Sequence, residues 1–204
     1  MADTKDRILD AAGPLLAERG FEGTSLRAVT SRAGVNLAAV HYHFGSKLEL
    51  LRAAVERDLA PVNQERLRRL SQLERNAAPG APSVEDILRA MVVPGLQSQD
   101  VLHGAAASLL FTEREEVVGP LVRELFGELS ERFVAALERA LPELEPREIA
   151  LRFSFGIGSL LHVLSGRFSL SPPIATLDPV PTPAELGDRL VHFFAAGLLA
   201  RGDA

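Results

Sequence analysis

Apolar residues near the start of the chain fall at Ile8, Leu9, Ala12, Leu15 and Leu16, a stripe with the period of an amphipathic helix. Gly20 stands where a left-handed residue would end that helix. The pattern then predicts a second helix, with Thr24 as N-cap, Leu26, Val29 and Ala33 on one face, and Gly34 closing it after about ten residues. Asn36 is placed to cap a third short helix, whose inward positions are Val40 and Phe44, four apart, with Val35 beside them in the turn. Gly45 ends it, and Ser46 with Glu49 reads as a capping box for a fourth helix starting at Lys47.

Pro61 lies inside that fourth helix as a kink or break rather than an end, because helical spacing resumes at Val62, Leu67 and Leu70. The stretch AAPGAPS, Ala77 to Ser83, has the composition of a linker. Ser83 is predicted to cap a helix through Met91 that Pro94-Gly95 breaks, Leu96 to Phe111 is largely apolar and expected to be buried, and Thr112 to Leu141 reads as helix interrupted at Gly119-Pro120. Pro146 suits a first helical turn and opens REIALRFSFGIGSLLHVLSG, which is apolar nearly all round. Such a helix needs cover on more than one side, from its own domain or from a second copy of the chain. A proline-rich segment, 167–183, is too long for a plain connector. Thr182-Pro183-Ala184-Glu185, a capping box with proline at the first helical position, then starts the last helix, which runs to about residue 200. The expected fold is all-α, with about nine or ten helices.

Composition narrows the class. The 204 residues are 47% hydrophobic, enough for one sizeable core or a core with a small satellite domain. Cysteine is absent, which excludes a disulfide framework, a thiolate metal cluster and a cysteine nucleophile. The N-terminus lacks a basic start and an unbroken apolar run, and no stretch approaches the roughly 18 apolar residues of a spanning helix. A soluble, cytoplasmic protein without membrane attachment is expected. Net charge is -5, yet residues 1–50 hold six Lys/Arg and six Asp/Glu, so the acidic excess lies wholly in the rest of the chain.

Two short helices joined by a glycine-containing turn and preceded by an amphipathic helix match a helix-turn-helix, whose second helix lies in the DNA major groove. A small three-helix core lobe with no ligand would share this spacing, so the outward residues decide. With Val40 and Phe44 inward, Leu37, Ala38, Ala39, His41, Tyr42 and His43 occupy the remaining arc. Small apolar groups at a helix start suit thymine methyls, and a tyrosine hydroxyl or imidazole reaches phosphates or base edges. Arg27 and Lys47 flank this helix and bind phosphate by charge, while capped helix N-termini at Thr24 and Ser46 offer backbone N–H groups.

The run TSLRAVTSRAGVNLAAVHYHFGSKLELL resembles the DNA-binding region of the TetR family of bacterial transcriptional regulators. Thr24, Arg27, Ala33-Gly34-Val35, the aromatic run ending in His43-Phe44, and Ser46-Lys47 fall where that family's motif places them. The likeness covers about residues 5–50. The remainder agrees only in length and helical character. VNLAAV followed by an aromatic run and FGSK is also similar to a subgroup that contains fatty-acid-responsive regulators.

The resemblance implies a helix-turn-helix DNA-binding domain at 1–50 and a helical effector-binding and dimerisation domain at 51–204. It implies DNA contacts from Thr24, Arg27, Asn36, Leu37, Ala38, Ala39, His41, Tyr42, His43 and Lys47, with phosphate contact centred on Tyr42, His43 and Lys47. It further implies a homodimer through 147–166 and 183–200, and a repressor of a palindromic double-stranded operator released by a small hydrophobic or acyl-type effector. Many members carry a polar residue or lysine where Leu37 stands and tyrosine where His41 stands, so base preference departs from the family pattern.

His41 and His43, two apart, point about 200 degrees apart on a helix, whereas helical zinc pairs use a spacing of four. No metal and no cofactor is expected. His103, His162 and His192 sit in apolar helical stretches and read as hydrogen-bonded core histidines. His103 and His162 are also the preferred polar groups of an effector pocket, with Phe111, Phe126 and Phe155 as candidate lining. Phe111, Phe126, Phe133, Phe153 and Phe155 otherwise read as core. The chain carries no phosphate-binding glycine loop, no GxSxG elbow and no HExxH, so an enzyme is not expected. The competing reading is a helical ligand carrier or interaction protein that does not bind DNA.

Overall fold

The computed structural model describes residues 3–98, 115–164 and 181–200. Among them are eight helices and no strand: α1 (Thr4–Gly23), α2 (Leu26–Ala33), α3 (Leu37–Phe44), α4 (Lys47–Ala77), α5 (Val84–Gln97), α6 (Glu115–Ala140), α7 (Pro146–Leu164) and α8 (Pro183–Leu199). His103, Phe111 and the proline-rich segment up to residue 180 lie outside the described residues. The chain divides into two compact units, Met1–Pro61 with Gln99–Leu125 and Val62–Ser98 with Phe126–Ala204.

In the first unit, α1 packs on α2 and α3, and α2 on α3. The predicted stripe of Ile8, Leu9, Ala12, Leu15 and Leu16 is buried, together with Val29, Val40 and Phe44. Gly20 has φ 69° and ψ −179°, a conformation that disfavours any residue with a Cβ, and the regular helix breaks there. The break leaves carbonyls facing inward that need a donor. Thr24 supplies it: its hydroxyl carries one hydrogen, shared between the Gly20 carbonyl at 2.7 Å and the Leu15 carbonyl at 3.0 Å. Thr24 is therefore not the N-cap of α2. Ser25 takes that place, its Oγ accepting from the Ala28 N–H at 3.1 Å.

Gly34 adopts the left-handed conformation at φ 63°, ψ 39°, and the Val35 N–H donates to the Thr30 carbonyl at 3.1 Å, the six-residue closure of a Schellman motif. Arg7, from α1, donates through Nη2 to the Ala33 and Gly34 carbonyls at 2.6 and 3.1 Å. Only one arm of the box expected at Ser46 forms. Its Oγ accepts from the Glu49 N–H at 3.1 Å, but its own N–H donates to the Phe44 carbonyl at 2.8 Å. An Asp10–Arg57 ion pair of 2.7 Å joins α1 to the N-terminal half of α4.

In the second unit, α8 packs on α5 and α7, and α5 also meets α7. The caps read from sequence hold here. Ser83 accepts from the Asp86 N–H, and Thr182 with Glu185 completes both arms of its box. As expected, α4 continues through Pro61. Two predicted interruptions are absent: α5 runs unbroken through Pro94-Gly95 to Gln97, and α6 through Gly119-Pro120 to Ala140. A proline removes one ladder N–H and pushes on the preceding turn. In α5 that turn is met from outside, where Arg66 of α4 donates through Nε to the Met91 carbonyl at 2.8 Å. In α6 the lost bond is one in a helix of 26 residues, and Pro120 is exposed.

The contact of α7 with α8 depends on Gly156, where any Cβ would overlap the ring of Phe194. Phe153 lies across the same ring, centroids 5.9 Å apart. Arg152 donates from Nη1 to the Gly197 and Leu198 carbonyls at 3.2 and 2.9 Å, satisfying the open C-terminal end of α8.

Gly34→Ala is expected to lower unfolding stability by about 1 kcal/mol, since alanine is strained at that φ and its Cβ would stand 3.0 Å from Arg7 Nη2. Gly156→Ala should cost about 1–3 kcal/mol by overpacking. Chemical denaturation of each variant measures both. Stability of Gly156→Ala within about 0.5 kcal/mol of the parent would contradict the close packing of α7 on α8.

Candidate nucleic-acid interface

α3 is eight residues long, too short to persist in water by its own hydrogen bonds. Its shape comes from three restraints. Asn36 Oδ1 accepts from the Ala39 N–H at 2.9 Å, Gly45 turns the chain at φ 74°, and Val40 and Phe44 are buried on one side. The opposite side is open. Asn36, Leu37, Ala38, His41 and Tyr42 are exposed, while Ala39 and His43 are half-buried. Tyr42 is 86% exposed, its ring edge-on to His43 with centroids 5.1 Å apart.

His41 Nδ1 lies 3.0 Å from the Gly45 carbonyl oxygen. A carbonyl only accepts, so Nδ1 carries the hydrogen and the neutral ring offers Nε2 as an acceptor. Lys47 is half-buried, its Nζ 4.3 Å from the centre of the Phe21 ring and 3.5 Å from the Glu22 carbonyl. Arg27 is exposed on the first turn of α2. Arg27, Leu37, Ala38, His41 and Tyr42 are thus all exposed on this three-helix lobe. Thr24 differs: at 3% exposure its side chain faces inward and holds the turn.

Two residues important to this geometry were missed in the sequence. Ser25 and Thr24 are both cap-type residues, and local sequence does not separate them. Arg7 stands 26 residues before the carbonyl it binds, and no local pattern connects them.

The second unit offers another open face. Phe155 and Phe193 are 65% and 67% exposed, and Leu151 and Leu199 are also exposed. Phe155, His162, Leu186, Leu190 and Phe193 share an apolar groove along α7 and α8. The core reading of Phe155, His162 and His192 is corrected accordingly, for all three are exposed. Both helices are apolar on two sides, and Phe153, Gly156 and Phe194 took the inward one. Phe133 and Phe153 are core, and Phe126 is half-buried. The described residues contain no group of three His, Cys, Asp or Glu placed to hold a metal ion, and no helix long and apolar enough to cross a membrane.

Comparison with known proteins agrees with this architecture. Residues 8–54 match the family described as bacterial regulatory proteins, tetR family, and residues 89–197 match the tetracyclin repressor-like C-terminal domain. The transcriptional regulator BetI of Paraburkholderia phymatum is 28% identical over 198 residues, covering 97% of this chain and 94% of its own. The biofilm operon negative regulator IcaR of Staphylococcus epidermidis is 36% identical over 52 residues, so that match takes in 26% of this chain and 28% of the relative. Among solved structures, the SmeT–triclosan complex superposes with a TM-score of 0.66 at 25% identity, covering 98% and 96% of the two chains. The fatty acid degradation regulator FadR of Bacillus halodurans superposes with 0.68 at 17% identity, covering 94% and 98%. With one match at the helix-turn-helix and another spanning more than half its length, the chain belongs to the TetR family of bacterial transcriptional regulators.

Proposed function

We propose that the chain is a homodimeric repressor whose two α3 helices enter successive major grooves of a palindromic operator, about 34 to 36 Å apart. The observation that carries this reading is the outward display of Leu37, Ala38, His41 and Tyr42 on a helix anchored from behind by Val40 and Phe44. Leu37, Ala38 and Ala39 meet base methyls, His41 reads a base edge, and Arg27, Tyr42, His43 and Lys47 bind phosphates beside the N-terminus capped by Asn36. Lys47 must then leave the Phe21 ring or share its charge with it. DNA binding is assigned to 1–50, and effector binding with dimerisation to 51–204. A regulator of this kind works in the cytoplasm, where the chromosome is.

A second copy of the chain covers the apolar face of 147–166 and 183–200. Supporting this, Phe155 and Phe193 would otherwise leave large aromatic surfaces in water. The effector is a small apolar molecule held in the helical C-terminal domain, a reading supported by the triclosan complex of SmeT. α4 begins three residues after α3 and runs unbroken to Ala77, so an effector that favours one geometry of this helix changes operator affinity by that preference.

Duplexes selected by the protein from a random pool provide the test. Tyr42→Ala should weaken binding at least about tenfold while shifting stability by less than about 0.5 kcal/mol, as read by fluorescence anisotropy and thermal denaturation. Affinity of the parent should fall steeply with salt. Failure to select any duplex, or undiminished binding by Tyr42→Ala, would favour the ligand-carrier reading. For the dimer, Phe155→Glu with Phe193→Glu should give a monomer by light scattering. A parent protein that is already monomeric overturns that assignment.

A further inference from the structure

Arg66, on α4, is 3% exposed. Among the described residues of the second unit it is the only buried side chain that is polar or charged. A buried guanidinium ordinarily sits against a carboxylate. Here, among the described residues, none lies within ion-pair distance of it, and the nearby Glu65 is engaged by Arg68 and Arg69. The hydrogen bonds of Arg66 go to neutral acceptors: Nε to the Met91 carbonyl at 2.8 Å and Nη1 to Asn63 Oδ1 at 3.0 Å. A guanidinium has five N–H donors, so three remain, two of them on Nη2. Burial pulls its pKa down to about 10, with no carboxylate among the described residues in ion-pair distance to offset the effect, and it remains a cation at neutral pH.

The position is also kept clear. A Cβ at Gly95 of α5 would stand 2.7 Å from Arg66 Nη2 and 3.6 Å from Leu164 Cδ1 of α7. Glycine there admits the guanidinium between α5 and α7. Bonding to Met91 accounts for one donor but not for a full charge in an apolar core.

We infer that Arg66 is the anion-binding residue of the effector site, and that the effector is a small apolar molecule bearing a carboxylate. This rests on the proposal that the C-terminal domain binds an effector, and it specifies the chemical class. The carboxylate accepts from the unspent N–H groups of Arg66 and neutralises its charge, while the remainder of the molecule lies against aliphatic and aromatic side chains. Because Arg66 belongs to α4, the effector acts directly on the helix that begins just beyond α3.

The test uses the full-length protein and matched pairs that differ only in charge: octanoate with octanamide, and 4-phenylbutyrate with 4-phenylbutanamide. Affinities are taken from the dose dependence of thermal shifts. At least one carboxylate should bind about tenfold or more tightly than its amide. Arg66→Met should bind both members alike, and Arg66→Lys should regain part of the preference. A purely structural Arg66 would alter the melting temperature without altering the acid-to-amide ratio. Equal affinity of the parent for acid and amide, or a preference that survives in Arg66→Met, overturns the assignment while leaving an apolar effector in place. If neither acids nor amides stabilise the parent, the effector reading and this one fall together. Should Arg66→Met not fold, the acid-to-amide ratio of the parent decides.

Discussion

Eight hydrogen-bonding residues do not make a helix that survives in water, because nucleation costs more than so few bonds return. α2 and α3 are both of this length, so the surface they present exists only while α1 holds them. Burial of Val29, Val40 and Phe44, along with Ile8 and Ala12, where α1 packs on α2 and α3 does that. Outward residues on α3 are consequently free to be chosen for contact rather than for stability. That explains how a helix start can carry Leu37, Ala38 and Ala39 where charges would be the ordinary choice.

The same dependence on packing governs the prolines. α1, α4, α5 and α6 each contain one, and each helix continues past it. A proline removes one donor and crowds one turn, a local cost that packing along the rest of a long helix outweighs. In α5 Arg66 donates to the Met91 carbonyl in the turn before Pro94-Gly95, next to the Ala90 carbonyl that Pro94 deprives of its ladder donor. An arginine is an expensive choice for that purpose in an apolar core. Its retention there, with no described carboxylate in ion-pair distance, gives the core of the second unit a concentrated point of polarity, whereas α7 and α8 expose the rings of Phe155 and Phe193.

Arginines recur at helix ends. Arg7 meets the last carbonyls of α2 and Arg152 those of α8, each satisfying groups that a helix terminus leaves open. These bonds join residues 26 and 46 positions apart, and they orient the helices whose opposite faces are open.

The all-helical class, the caps at Asn36, Ser83 and Thr182-Glu185, the close of α2 at Gly34 and the inward pair Val40 and Phe44 were legible in the sequence. Each depends on residues within about one turn of one another. The motif from Thr24 to Lys47 likewise pointed to the family, since its residues are nearly contiguous. Only the tertiary structure decided the rest. Thr24 turned inward because Gly20 left carbonyls to satisfy, so the cap moved to Ser25. Phe155, His162 and His192 came to the surface because α7 and α8, apolar on two sides, met through Gly156 and Phe194. Arg66 was buried by helices distant in sequence. Local hydrogen bonding is encoded locally, but which face of an apolar helix is covered, and which charge is enclosed, depends on what the remainder of the chain brings against it.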